Sequence, residues 1–335
     1  MGTSDFVEPR FVDRVVEFRV LEELCSRVVA LPIFLYGPEG CGKSRLFREF
    51  VARFDGVGVY VDALERTRVD RALFFSPVVS ELREFVRVIA GAVSGSVGVY
   101  LADRVFDLVS RVGVRRCIEG ERVVVVVDDV VRAIGVDQVE WYVKWLYESI
   151  RKFVEEFHPR GLVVVATTSE GVSRRLVSRH RHAVVYLLWN LDYDSFYELA
   201  RELGAPSREV VDRVWEFVGG NPGRLVEIAS VFRWDVSSWI ELLRGRLFEV
   251  FRIVRSEDLV GELLRVIEDP DVFIHEASPR FEKLLSILEE YNLVIYKYCM
   301  LLSREYLRPC PELGVGKYYA WQLPAYRVVL EEFAR

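Results

Sequence analysis

Eight residues carry the strongest chemical signal. Gly37–Ser44 reads Gly-Pro-Glu-Gly-Cys-Gly-Lys-Ser and fits the pattern G-x-x-x-x-G-K-[ST]. The apolar run Ile33–Tyr36 precedes it and a helix-like run begins at Lys43, the strand–loop–helix setting that the pattern requires. Such a loop can turn its main-chain N–H groups toward an anion, helped by the start of the following helix. Gly37, Gly40 and Gly42 allow the backbone to bend and approach phosphate oxygens closely. The expected nucleotide-binding set is Gly37, Pro38, Glu39, Gly40, Cys41, Gly42, Lys43, Ser44 and Arg45. Lys43 would neutralise the β- and γ-phosphates, and the Ser44 hydroxyl would ligate Mg²⁺.

A magnesium nucleotide also needs carboxylates. The apolar run 122–129 ends in Asp128 and Asp129. Asp128 would hold the ion through water, and Asp129 would orient or deprotonate the attacking water. The alternative is an acidic pair that caps the next helix. The run 161–168 ends in Thr167 and Thr168, followed by Ser169. A hydroxyl there, Thr168 above all, could reach the γ-phosphate, or could serve only to cap the strand end. Arg174, Arg175, Arg179 and Arg181 follow. One of them, with Arg179 the first candidate, could act on a neighbouring subunit's nucleotide; the other reading is a solvated basic helix face. No [NT]-K-x-D tetrapeptide for reading guanine occurs, so ATP or ADP is the expected ligand.

Elements that could position these groups alternate along the first 190 residues. β-rich runs at 33–37, 58–63, 122–129, 161–168 and 183–189 are mostly apolar at every position, as strands buried on both faces of a parallel sheet must be. Helical patterns lie between them, including 76–93 and 139–157. The pattern predicts an α/β three-layer core around a parallel sheet. Past residue 190 the strands stop, and three helices are expected within 191–244. Beyond 245, helices near 257–268 and 279–291 precede two short strands and a last helix, the order of a winged-helix module. The expected division is 1–190, 191–244 and 245–335.

Bulk properties limit the function. The 335 residues are 51% hydrophobic and 29% charged, which fits well-cored globular domains. A net charge of −6 argues against a general attraction to nucleic acid or anionic membrane. No signal peptide or run long enough to span a membrane is visible, so a cytoplasmic location is expected. Five cysteines at irregular spacings and four scattered histidines make no metal-ligand pattern.

These motifs, in this order, resemble the archaeal ATPase family, a branch of the AAA+/STAND P-loop NTPases. Phe11–Leu24 is similar to that family's F-x-x-R-x-x-E-x-x-x-L segment, and Gly219–Ala229 to its lid motif G-G-x-P-x-x-L. The resemblance implies that Phe11, Arg14 and Pro222 border the adenine and that Arg224 is a candidate lid arginine, although its spacing departs from the usual forms. A second departure is Asp129, where many relatives carry Glu; the shorter acid implies slow turnover.

Two function classes follow. The first is an ATP-dependent switch whose C-terminal module relays the nucleotide state to a protein partner or to a second copy. The second is a DNA-binding initiator- or transposition-type ATPase. A nucleotide kinase fits poorly, since no substrate-pocket signature accompanies the appendages. From Arg244 onward there are 13 Lys and Arg against 15 Asp and Glu, which disfavours a phosphate-neutralising surface. A local basic edge of Lys297, Arg304, Arg308 and Lys317 is the competing thought.

Overall fold

The computed structural model describes residues 9–77, 118–168, 174–175, 177, 179 and 181–335. The helix expected over 76–93, from residue 78 on, and the hydroxyl of Ser169 lie outside the described residues.

A six-stranded sheet carries the first half of the chain. Its strands are β1 (Ile33–Tyr36), β2 (Val57–Asp62), β3 (Leu73–Phe75), β4 (Arg122–Asp128), β5 (Gly161–Thr168) and β6 (Val184–Leu187), in the order β3-β2-β4-β5-β1-β6. Every pairing is parallel except that of β2 with the short edge strand β3, which the pattern of apolar runs did not mark. Side chains alternate between the two faces. Val123, Val125 and Val127 of β4 face one hydrophobic cluster, and Val124 and Val126 face the other. Leu162, Val164 and Ala166 of β5 join the first cluster; Val163 and Val165 join the second. Both faces are therefore covered, which is why these strands are apolar throughout.

Helix α1 (Val15–Cys25) and helix α2 (Lys43–Arg53) pack on the second face through Leu21, Leu46, Phe47 and Phe50. Next in the chain come α3 (Val69–Ala72), α4 (Val130–Ile134) and α5 (Val139–Phe157). Helix α5 lays Tyr142, Val143, Leu146 and Ile150 on the first face, an i, i+4, i+8 stripe.

After β6 the chain is helical: α6 (Tyr193–Glu202), α7 (Arg208–Val218), α8 (Pro222–Ser230), α9 (Val236–Ser256), α10 (Val260–Glu268), α11 (Val272–His275) and α12 (Pro279–Glu290). A two-stranded antiparallel ribbon, β7 (Val294–Tyr296) with β8 (Tyr319–Trp321), and helix α13 (Pro324–Ala334) follow. Asp192, Ser207, Asn221, Asp235 and Ser278 cap their helices by accepting from the main-chain N–H three residues on. Helix α9 runs through residues 244 and 245 without a break. Residues from Leu191 to Leu330 share one hydrophobic core, with Val214, Leu243 and Val329 among its members. No described helix is long and apolar enough to cross a membrane.

The C-terminal region is seated on the sheet. Leu187 of the edge strand β6 donates to Met300 O at 3.0 Å and accepts from Leu302 N at 2.9 Å. Arg304 forms a two-pronged ion pair with Glu23 of α1, both contacts at 2.9 Å. The Tyr36 hydroxyl donates to Tyr296 O at 2.6 Å. Lys297 is buried, and its amine donates to Leu307 O at 2.6 Å. Of the four cations once grouped as a local edge, Lys297 and Arg304 are thus engaged within the chain.

Burial holds the Lys297 pKa down to about 8, against an ordinary 10.5. Between those values the unfolded chain binds the extra proton, so this residue's contribution to stability rises with pH across that window. Comparing thermal unfolding of the parent and Lys297→Met, we expect the parent's Tm to gain on the variant's between pH 7 and pH 10. A constant difference would place the amine in water.

Candidate nucleotide-binding site

The loop Gly37–Gly42 joins β1 to α2, and Gly42 is the left-handed residue (φ 101°) preceding the helix. At two positions glycine is obligatory. A Cβ on Gly37 would meet Leu188 O at 2.0 Å, and one on Gly40, where φ is 83°, would meet Asn221 Oδ1 at 2.7 Å. Lys43 is 6% exposed, and its amine donates to Gly37 O at 2.9 Å and Pro38 O at 3.1 Å. The remaining loop carbonyls are held from outside. Asn221 Nδ2 donates to Glu39 O at 2.9 Å, Gly223 N to Gly40 O at 3.0 Å, and Arg14 Nη2 to Cys41 O at 3.0 Å.

Beside the loop stands an acidic pair. Asp128, at the end of β4, lies on the α2 face with Val124 and Val126, and is buried. Its Oδ2 accepts from the Tyr60 hydroxyl and its Oδ1 from Thr167 Oγ1. Thr167 also accepts from Asp129 N at 2.9 Å. Side-chain parity explains the choice of threonine. Thr167 shares a face with Val163 and Val165, while Thr168, expected from sequence to reach the γ-phosphate, falls on the opposite face and is itself buried. Asp129 sits in the left-handed region at φ 51°, at the N-terminus of α4. Its side chain makes no capping hydrogen bond there. Burial first, and then the charge of Asp128, push its pKa up to about 6.

A cavity of about 350 Å³ adjoins the loop. The 9–14 segment forms one wall with Phe11, Val12 and Arg14; Gly40–Gly42 and Arg45 form the floor; Leu199, Pro222 and Val226 close the far side. Phe11, Arg14 and Pro222 are thus together at one cavity. Asp13 and Arg14 both have positive φ, 61° and 68°, an uncommon state for residues with side chains. The Arg14 guanidinium bonds Cys41 O and Trp189 O, the latter at 2.6 Å, and pairs with Glu17 at 3.2 Å. Arg14 therefore ties this segment to the loop besides bordering the cavity. Arg45 Nη2 donates to Pro9 O at 3.2 Å. Arg224 pairs with Glu227 on its own helix at 2.8 Å.

Of the arginines after β5, Arg175 pairs with the buried Glu289 at 2.8 Å and Arg174 stands 4.2 Å over the Tyr296 ring. Both therefore face the C-terminal region. Arg179 is exposed.

Sequence reading passed over Tyr60, Asn190, Asn221 and Gln322. Asn221 is fully buried; it caps α8 and donates to Asn190 Oδ1 at 3.0 Å as well as to the loop. Gln322, just after β8, accepts from Glu39 N at 3.2 Å. Asparagine between a Gly-Gly pair and a proline is a helix-start signal, and it was available in the sequence. For Tyr60 and Gln322 only the folded register gives the contact.

The model of a family described as an ATPase domain predominantly from Archaea matches residues 11–228, more than half of the chain. The chain belongs to that family, and the loop and acidic pair described above fall inside the matched stretch. No curated protein sequence matches the chain. Among solved structures it is similar to a signal transduction ATPase with numerous domains and a tetratricopeptide-repeat sensor from Pyrococcus horikoshii, at 16% identity and a TM-score of 0.36, over 98% of this chain and 43% of that one. It is also similar to Cdc6p from Pyrobaculum aerophilum (12%, TM-score 0.40, 99% and 98%) and to the ORC2 protein of Aeropyrum pernix (12%, TM-score 0.39, 88% and 90%). Likeness this faint carries no weight beside the family match. The chain spans less than half the length of the Pyrococcus protein.

Removing the Asn221 side chain would uncap α8 and strand buried groups on Glu39, Asn190 and Arg224. Asn221→Ala should cost about 2–3 kcal/mol in chemical unfolding, from one lost cap and at least one buried polar group left unpaired. A loss under about 0.5 kcal/mol, the range of an ordinary surface change, would show that the contacts are not made.

Proposed function

We propose that this chain binds Mg·ATP and Mg·ADP at Gly37–Ser44, hydrolyses ATP slowly, and uses the nucleotide state to set how its helical and C-terminal regions sit on the core. One observation carries the switch reading. The phosphate-binding loop is bonded directly to both appendages, through Asn221 and Gly223 on one side and Gln322 on the other. A nucleotide that reorganises the loop must strain or relax those bonds.

The donor set suits magnesium. Ser44 offers a hydroxyl and Asp128 a buried carboxylate, both hard oxygen groups. Among the described residues no group of three His, Cys, Asp or Glu could hold a metal by itself. Such a set fits an ion that keeps water and phosphate oxygens in its shell. When bound, magnesium supplies charge neutralisation at the β- and γ-phosphates.

The chain's own groups do the rest. Loop N–H groups and Lys43 hold the phosphates, and the cavity beside Phe11, Arg14 and Pro222 takes the adenine. Asp129 orients a water and accepts its proton; a pKa of about 6 leaves it mostly ionised at pH 7 yet basic enough to serve. Thr167 holds Asp128 and the Asp129 main chain together. We read residues to about 190 as the ATPase core, the helices after them as a lid, and the end of the chain as a winged helix, with α9 a spine shared by the last two. Arg179 and Arg181, both exposed, are left as the candidates to act on a second copy.

DNA binding is the runner-up. It is weakened by the burial of Lys297 and by the pairing of Arg304, though exposed, with Glu23. The partner we favour is protein, or another copy of this chain.

Lys43→Ala should abolish nucleotide binding in calorimetry; unchanged affinity would sink the assignment. Asp129→Asn should keep ATP bound while phosphate release falls by about 100-fold, the scale of loss for a misplaced or missing catalytic group. Turnover equal to the parent's would make Asp129 structural only.

A further inference from the structure

We propose that Tyr60 is a positioning residue for Asp128, fixing the carboxylate that faces the metal, and that Arg48 couples this arrangement to the phosphate-loop helix. The inference rests on the nucleotide reading above and deepens it.

Asp128 is 3% exposed, Tyr60 1% and Thr167 0%, so the three groups meet away from water. A buried carboxylate is stable only when its oxygens are hydrogen-bonded. Here each oxygen has one hydroxyl donor: Tyr60 on Oδ2, Thr167 on Oδ1. The donors come from the strands on either side of β4. In the sheet register Tyr60 lies opposite Val126 and Val126 lies opposite Val165, so the phenol reaches two residues along β4 to Asp128 while Thr167 reaches it from beside. Two donors from opposite sides stop the carboxylate from rotating. The lone pairs left over then point in fixed directions, as needed to receive protons of metal-bound water.

Neutral hydroxyls have a further property: they leave the full negative charge on Asp128. An arginine or lysine in the same place would neutralise that charge and compete with a cation. A nearby cation, Arg48, is engaged with other groups. It stands 5.2 Å over the Tyr60 ring and pairs with Asp62 at 3.2 Å. Arg48 lies four residues beyond Ser44 on α2, hence on the same helix face. Through it the helix that carries Ser44 presses on the ring whose hydroxyl holds Asp128. The two protein groups assigned to the metal are thus set by one chain of contacts: Ser44, Arg48, Tyr60, Asp128.

The test compares binding of a fluorescent ADP analogue in EDTA and across a Mg²⁺ titration. Tyr60→Phe keeps the ring, its packing and the stacking of Arg48 on it, and deletes the hydroxyl that donates to Asp128 and that Arg48 also bonds. We expect its EDTA affinity to stay within about twofold of the parent and its Mg²⁺ midpoint to rise about 10- to 100-fold, the usual effect of removing a ligand's supporting hydrogen bond. Equal losses with and without Mg²⁺ would mean a structural role and overturn the proposal. An unchanged midpoint would overturn it too, provided that Asp128→Asn shifts the midpoint in the same assay. If Asp128→Asn shifts nothing, the metal assignment itself fails and takes this inference with it. Should Tyr60→Phe not fold, Arg48→Met must raise the midpoint in the same direction, and no rise there counts against the proposal.

Discussion

The structure turns on a demand placed on one short loop. In the nucleotide reading its main-chain N–H groups serve a ligand, so few of those donors can fold onto the loop's own carbonyls; Cys41 N, which donates to Pro38 O at 3.2 Å, is one that does. Much of its shape must come from elsewhere. From Gly37 to Cys41 each carbonyl receives a donor: the Lys43 amine, folded back from the loop's own end, for the first two, and distant groups for the rest, Asn221 for Glu39, Gly223 for Gly40 and Arg14 for Cys41. The 9–14 segment and the start of α8 are therefore assembled around these eight residues. The buried asparagine, the two left-handed residues before α1 and the amine folded back into the loop all answer the same need.

A second rule, the alternation of a strand, organises the acidic side. Asp128, Thr167 and Tyr60 meet because three neighbouring strands turn the same parity toward α2. Parity within one strand can be counted in a sequence; the offset between strands cannot. That is why the loop, the acidic pair and five of the six strands were legible, whereas the meeting of Thr167 and Tyr60 at Asp128 drew no notice. Helix α9 escaped for another reason. Its apolar stripe was readable, but residues 244 and 245 were taken as a boundary where composition changes, and the helix runs straight through them. Asn221 carried a readable cap signal, while its bonds to Glu39 and Asn190 span 182 and 31 residues and leave no local trace.

The far end of the chain shows how widely the loop's neighbourhood extends. Tyr36 is the last residue before Gly37, and its hydroxyl holds Tyr296 and lies 3.2 Å from Cys299 Sγ. Arg174 and Arg175, a few residues beyond β5, engage Tyr296 and Glu289. Glu289 is buried, and burial pushes its pKa up, so its pairing with Arg175 compensates a costly site. The C-terminal region thus grips strand ends on the same edge of the sheet that carries the nucleotide loop.

That grip has a consequence for solubility. β6 is the outermost strand beside β1, and residues 300–302 occupy its free side through Leu187. An uncovered strand edge offers unpaired N–H and C=O groups to any passing chain. With the C-terminal region lifted away, this protein would present a bare parallel strand flanked by Tyr186 and Leu187, a template for joining molecules edge to edge. The segment that pairs with Leu187 thus also covers the edge that such an opening would expose.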